Sequence, residues 1–266
     1  SKDQEKERGI TILAKNTAIV LKDGRRVNIV DTPGHLDFSG EVERALQMVE
    51  GFILLVDAKE GVKPGTRYVL RKALKLRLKP IVVLNKIDKD DTNLEATEEA
   101  IQDLFLEVAE DDDQLDIFFM YGSGRDGYIN ETPIKEGSLE PLFNQIFSLI
   151  PPPKASQEHL QMLVAQLDQD ETTGMRIAIG RIFGGSVKLN EKIAVVLQGK
   201  KVNALVKAIK IYKGIEKVPS TEAKYGDLCC ITLQEPVEQK IPLEIGATLC
   251  DENVINPLEY HPPDEP

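Results

Sequence analysis

Three short turns carry residue types whose chemistry is specific. In Asn85-Lys86-Ile87-Asp88, the Asp88 carboxylate is suited to accept two N–H donors from the edge of guanine, a donor pair that adenine lacks. Asn85 adds an amide and Lys86 an aliphatic stem to lie against the base. In Asp31-Thr32-Pro33-Gly34-His35, Asp31 is placed to serve a phosphate-bound Mg²⁺, and Gly34, with a free N–H and no side chain, lets a terminal phosphate come close. The third turn is Ser123-Gly124. Each turn alone also reads as an ordinary chain reversal. Together they describe a GTP site, because all three fall at the ends of expected strands, in the order and spacing of one pocket.

The elements that must hold these turns follow from hydrophobic periodicity. Apolar runs at Ala18 to Lys22, Val27 to Asp31, Phe52 to Asp57, Pro80 to Asn85 and Ile117 to Tyr121 read as strands. Between them, Val42, Ala45, Leu46 and Val49, then Ile101, Leu104, Phe105 and Val108, then Leu139, Leu142, Phe143 and Ile146 recur at helical spacing. A further helix over about Thr66 to Arg77 is expected to bury Val69, Leu70, Ala73 and Leu74 and to turn Arg71, Lys72, Lys75 and Arg77 outward. Strands alternating with helices predict an α/β domain with a parallel sheet, in which ligands sit beyond the carboxyl ends of the strands.

That pattern stops at Pro151-Pro152-Pro153, where three prolines end the helical period and stiffen the chain. Beyond it, Leu160 to Leu167, Met175 to Phe183, Glu191 to Leu197, Val202 to Ile211 and Asp227 to Leu233 alternate as short strands. Gly184-Gly185 reads as a hairpin and Lys213-Gly214 as a turn. The expected division is an α/β domain over 1–153, an antiparallel β-barrel over 154–257, and a linker over 258–266.

Composition bounds the partners. The 266 residues carry 33 Lys and Arg against 44 Asp and Glu, a net charge of −11, with 41% hydrophobic residues. That argues against disorder, a collagen-like chain, a membrane protein and a globally basic nucleic-acid binder. The charge is uneven, however: Asp88 to Asp116 holds 13 acidic residues and one Lys, whereas Lys63 to Lys79 carries seven basic residues and no acid, and Lys200 to Lys217 six against Glu216. Such local patches suit RNA despite the overall sign. Cys229, Cys230 and Cys250 form no metal or disulfide spacing and read as small buried apolar residues. With neither a signal peptide nor an apolar run long enough to span a bilayer in the sequence, the expected location is the cytoplasm, or an organelle interior once a leader is removed.

Longer stretches of text resemble the translational GTPases, and among them the ribosome-associated TypA/BipA branch: Glu5 to Asn16, Asn28 to Glu43, Lys79 to Asp88, Gln114 to Asp116 ahead of Tyr121-Gly122-Ser123, and Gly180 to Asn190. The resemblance implies a P-loop-type GTPase domain followed by a barrel of the elongation-factor domain II type, hydrolysing GTP to GDP and phosphate with Mg²⁺ on the ribosome, without membrane or DNA partners. By it, Thr11 and Asp31 serve Mg²⁺, Gly34 senses the γ-phosphate, and His35 positions the attacking water behind a gate that includes Ile10. Asn85, Lys86, Ile87 and Asp88 bind the base, helped by the Ser123 and Gly124 backbone. Elongation factor G or LepA, and a non-catalytic ribosome-binding module, stand as alternatives.

Two departures from the family pattern set further expectations. Ser123-Gly124 replaces the usual Ser-Ala, which predicts a looser loop. No Gly-x-x-x-x-Gly-Lys-Ser/Thr occurs in the 266 residues, and the family order places that loop ahead of Ser1. These residues alone are therefore expected to bind nucleotide poorly and to be inactive, and the sheet to expose an edge and apolar faces, compensated by association or by a rearranged first half.

Overall fold

The computed structural model describes residues 15–33, 39–260 and 262. By internal contacts the chain divides into two units, one holding 39–152 and the other 15–33 with 153–260.

The described chain opens on β1 (Lys15–Val20) and β2 (Arg26–Asp31), an antiparallel pair running from Lys15 opposite Asp31 to Val20 opposite Arg26. This corrects the expectation that both strands enter the parallel sheet. Only Leu21 to Arg25 join them, whereas a parallel pair needs a crossover of roughly a dozen residues or more. The hairpin belongs to the barrel unit. Ala18 exchanges two backbone hydrogen bonds with Gly214, at 3.1 and 2.8 Å. Asn28 Nδ2 donates to the Gly226 carbonyl at 3.2 Å, and Asn16 Nδ2 to the Tyr212 hydroxyl at 3.3 Å.

The α/β unit comprises α1 (Ser39–Leu46), β3 (Gly51–Asp57), α2 (Pro64–Lys75), β4 (Lys79–Asn85), α3 (Leu94–Val108), β5 (Phe119–Ser123), β6 (Tyr128–Asn130) and α4 (Glu140–Leu149). The sheet order is β3-β4-β5-β6, parallel except for β6. Helix starts are locally encoded. Pro64 pre-sets the first turn of α2, and the Asn93 side chain caps α3 by accepting the Ala96 N–H at 3.1 Å.

β4 is central and buried on both faces, which is why its apolar run is continuous. Val82 and Leu84 face α1, α2 and α3 in a core with Leu70, Leu74, Ile101 and Phe105, whereas Ile81 and Val83 pack with Met120, Ile129 and Leu142. Fully burying side chains such as Leu70, Leu74 and Phe105 is worth roughly 1.5–3 kcal/mol each. Two helix assignments change. Lys72, expected outward, turns its ammonium to Glu43 at 3.1 Å, where the Tyr68 hydroxyl also donates, tying α1 to α2. Leu139, expected to be buried, caps α4 and stays exposed. Among the described residues no strand pairs with the free edge of β3. Ile53 and Leu55 are 40% and 60% exposed, in keeping with the expected open edge and apolar face.

The second unit closes as a barrel. β7 (Gln161–Gln169), β8 (Arg176–Gly184), β10 (Lys192–Leu197), β11 (Lys200–Lys213), β14 (Leu228–Gln234) and β15 (Thr248–Asp251) form the ring β10-β15-β7-β8-β14-β11, with β11 returning to β10. All its neighbouring strands are antiparallel. β12 (Glu216–Ser220) extends β11 beyond the ring through the two-residue turn at Gly214, as expected. The core is filled by inward residues such as Met162, Val164, Ile182, Ile193, Ile231 and Leu249, with Cys229 buried among them. Cys230 and Cys250 are buried too, and all three cysteines are free thiols. Gly180 is dictated by this closure, since a Cβ there would stand 1.8 Å from the Leu163 carbonyl oxygen.

The Gly184-Gly185 hairpin is not formed. β9 (Ser186–Lys188) pairs with β13 (Glu222–Lys224) instead of folding back on β8, and Gly185, with φ of 61°, makes a corner against the 158–160 backbone. The stretch assigned as a linker begins on the barrel itself, where Leu258 N–H donates to Thr248 Oγ1 at 2.9 Å and the Tyr260 ring covers Gly246.

Candidate functional site

Parallel pairing brings three strand ends into one row. Asp57 at the end of β3 lies opposite Asn85 at the end of β4, and Asn85 lies opposite Gly122 in β5. The Asn85 side chain joins the turns that follow β4 and β5. Asn85 Oδ1 accepts the Gly124 N–H at 2.9 Å and the Lys86 N–H at 2.9 Å. With Oδ1 doubly held, the Nδ2 amide is left to donate outward, as an acceptor on a bound base requires.

Beneath the turn, Ile87 is 1% exposed and sits in the core with Val82, Leu84 and Tyr128, while its N–H donates to the Gly122 carbonyl at 3.2 Å. Its side chain therefore braces the turn from below. Gly122 makes the approach of β6 possible: a Cβ at this position would lie 2.1 Å from the Tyr128 carbonyl oxygen.

Lys86 adopts φ of 65° and points its ammonium at Asp57 Oδ2, 2.6 Å away. Burial opposes ionisation of Asp57. Hydrogen bonds from Lys86 and from the Lys59 and Glu60 amides outweigh it and lower the carboxyl to about 2. The same contact raises the Lys86 ammonium above its ordinary value.

Asp88 is 16% exposed at its side chain and pairs with Arg125, whose Nη2 is 2.9 Å from Oδ2. Arg125 also grips Asp126 through Nε and Nη2, at 2.9 and 3.1 Å. Asp126 in turn accepts from the buried Ser123 hydroxyl at 2.9 Å. Hydrogen bonds from Arg125, then Ser123, hold the Asp126 carboxyl below its ordinary value. Gly124 sits in open space, and an added Cβ would meet only Asn85 at 3.6 Å. The Gly124 N–H bond to Asn85 Oδ1 ties the loop backbone to the β4 turn.

Asn85, Lys86, Asp88, Ser123 and Gly124 are brought together. Asp31 ends β2 in the other unit, exposed, with no described residue bonded to its carboxylate. Ile10, Thr11, Gly34 and His35 lie outside the described residues. Sequence reasoning missed Asp57, Arg125 and Asp126. Asp57 was legible as the carboxylate ending the strand next to Asn85; nothing in the spacing signals the Arg125 pairing.

Comparisons with known proteins assign the chain to a family. Residues 1–152 match the family model of the elongation factor Tu GTP binding domain. The large ribosomal subunit assembly factor BipA of Bacillus subtilis is 42% identical over 269 residues, covering all of this chain and 43% of that protein. The chain belongs to the TypA/BipA branch of the translational GTPases. BipA of Synechocystis is 43% identical over 234 residues, covering 87% of this chain and 39% of its own. The TypA/BipA-type chain thus spans less than half the length of these curated relatives. Its fold also matches the elongation factor SelB of Methanococcus maripaludis, solved with the GTP analogue GppNHp. That match has a TM-score of 0.72 at 22% identity, covering 92% of this chain and 50% of SelB. A bacterial selenocysteine-specific elongation factor matches with a TM-score of 0.71 at 25% identity, covering 94% and 40%. Among the described residues no helix is long and apolar enough to cross a membrane.

Proposed function

We propose that this TypA/BipA-type protein binds GTP and GDP, with Mg²⁺, and hydrolyses GTP in association with the ribosome. The observation that carries the reading is the Asn85 bridge to Gly124, which ties the turn that holds Asp88 to the turn after β5 at the carboxyl ends of β4 and β5. Asp88 accepts the N1–H and the 2-amino group of guanine. Asn85 donates to an acceptor on the base, Lys86 lays its stem along the ring, and the Ser123-Gly124 backbone closes the edge. Adenine presents no such donor pair, so the corner selects guanine.

The other roles rest on the family resemblance. His35 positions the water for in-line attack on the γ-phosphate, a task that positioning and electrostatics can fulfil. Ile10 gates it, and Gly34 senses the phosphate. Thr11 and Asp31 hold Mg²⁺, which supplies charge neutralisation at the phosphates; the exposed, unengaged Asp31 carboxylate fits an oxygen ligand of such an ion. The 266 residues contain no Gly-x-x-x-x-Gly-Lys-Ser/Thr, so hydrolysis is not assigned to these residues by themselves. The relatives' printed role in large-subunit assembly supports a ribosomal partner and hence a cytoplasmic or organellar setting.

The test is a fluorescent GTP titration of the protein with and without Mg²⁺, alongside ribosome co-sedimentation. Mg²⁺-dependent, guanine-selective binding is expected and, with a phosphate-loop segment restored ahead of Ser1, His35→Ala should lower ribosome-stimulated turnover sharply and leave GTP affinity within a few-fold. Co-sedimentation indifferent to nucleotide, with no guanine preference, would instead establish the non-catalytic module.

A further inference from the structure

The carboxylate assigned to guanine already has an occupant. Arg125 Nη2 lies 2.9 Å from Asp88 Oδ2 as an ion pair, while Nε and the same Nη2 donate hydrogen bonds to Asp126, itself anchored on the buried Ser123 hydroxyl. The chemistry of the two ligands is the same. The N1–C2–N2 edge of guanine is a guanidine fragment with N–H donors side by side in one plane, and so is the head of arginine. A carboxylate that accepts one accepts the other.

We propose that Arg125 is a built-in competitor for guanine: it caps Asp88 when the site is empty and must leave that oxygen when the base arrives. It thereby sets nucleotide affinity and exchange. The proposal rests on the guanine reading of the site and deepens it. Arg125 is 75% exposed at its side chain, so it is free to swing into solvent while Asp88, 16% exposed, stays in place. Exposed ion pairs are worth little, so release of the contact is expected to change affinity by only about 1.5- to 5-fold.

The sign of that change separates this role from plain electrostatics. Nucleotides are polyanions, and deleting a nearby cation should weaken their binding. Competition predicts the opposite. The experiment is a titration of the protein and of Arg125→Ala with fluorescent GDP and ADP, at low and at high salt. GDP is expected to bind Arg125→Ala about 1.5- to 5-fold more tightly, with no gain for ADP and with the difference shrinking at high salt as the ion pair is screened. Arg125→Lys keeps the charge that pairs with Asp88 and should retain little of the gain. Unchanged or weaker GDP binding in Arg125→Ala overturns the competitor role while leaving the guanine site intact. Failure of both proteins to prefer GDP over ADP overturns the site assignment itself, and the competitor with it.

Discussion

Replacing Asn85 by Ala removes a side chain that ties the β4 and β5 turns together through two backbone groups. Its Oδ1 accepts two backbone N–H groups at 2.9 Å, from Lys86 and Gly124. A net hydrogen bond is worth about 0.5–1.5 kcal/mol, so their joint loss costs roughly 1–3 kcal/mol, toward the lower end here because water can reach both donors. For a unit of this size, that corresponds to a drop in melting temperature of roughly 3–8 °C. The local consequence is sharper. Amide hydrogen exchange at Gly124 should accelerate about tenfold for every 1.4 kcal/mol lost, while amides in the centre of β4 keep their protection. Thermal unfolding followed by circular dichroism, with exchange measured by NMR, gives both readouts. If the Asn85→Ala melting temperature stays within a degree and Gly124 exchange is unaltered, the bridge does not hold the two turns together and the argument for a fixed Nδ2 donor collapses.

Three further outcomes follow from the same geometry. Gly122→Ala should destabilise the protein by about 2–3 kcal/mol, read as a lower urea midpoint, because the new Cβ would meet the Tyr128 carbonyl at 2.1 Å and force β6 away. Gly124→Ala should do the reverse, adding about 0.4–1 kcal/mol, since the methyl finds only ordinary contact with Asn85 at 3.6 Å and the unfolded chain loses freedom. Acid sensitivity should include a contribution from Asp57, whose native value of about 2 lies below the ordinary 3.8. A depressed carboxylate stabilises fully above the unfolded value and loses that contribution as pH falls toward 2. With Lys86 about half exposed, the effect is on the order of 1–2 kcal/mol. Unfolding midpoints between pH 5 and pH 2 should therefore fall less steeply in Asp57→Asn; identical slopes would remove Asp57 from the account.

Much of this was legible in the sequence because periodicity reports burial. The unbroken Ile81-Val82-Val83-Leu84 run could only be a strand covered on both faces, and the turn after it had to lie at the ligand end of the sheet. The β1–β2 hairpin carries apolar runs like those of the parallel strands, and only the short Leu21 to Arg25 connection distinguishes it, being too short for any parallel crossover. β9 and β13 are three-residue strands whose pairing is long-range, and β15 is four residues, so no periodic window contains them. Arg125 belongs to the same class of miss. Its partner Asp88 lies in a different turn, and only the parallel pairing of β4 with β5 makes them neighbours.

The most direct test of the central claim exchanges the base against the carboxylate. Affinities for GDP and for xanthosine diphosphate, which carries a carbonyl where guanine has its amino group, are measured by fluorescence titration for the protein and for Asp88→Asn. The amide introduced by that substitution can donate to the carbonyl, so the variant should lose GDP affinity and gain affinity for the xanthine nucleotide, reversing the preference. A preference for GDP that survives the substitution would contradict the assignment of Asp88 and its turn as the guanine-reading element of this protein.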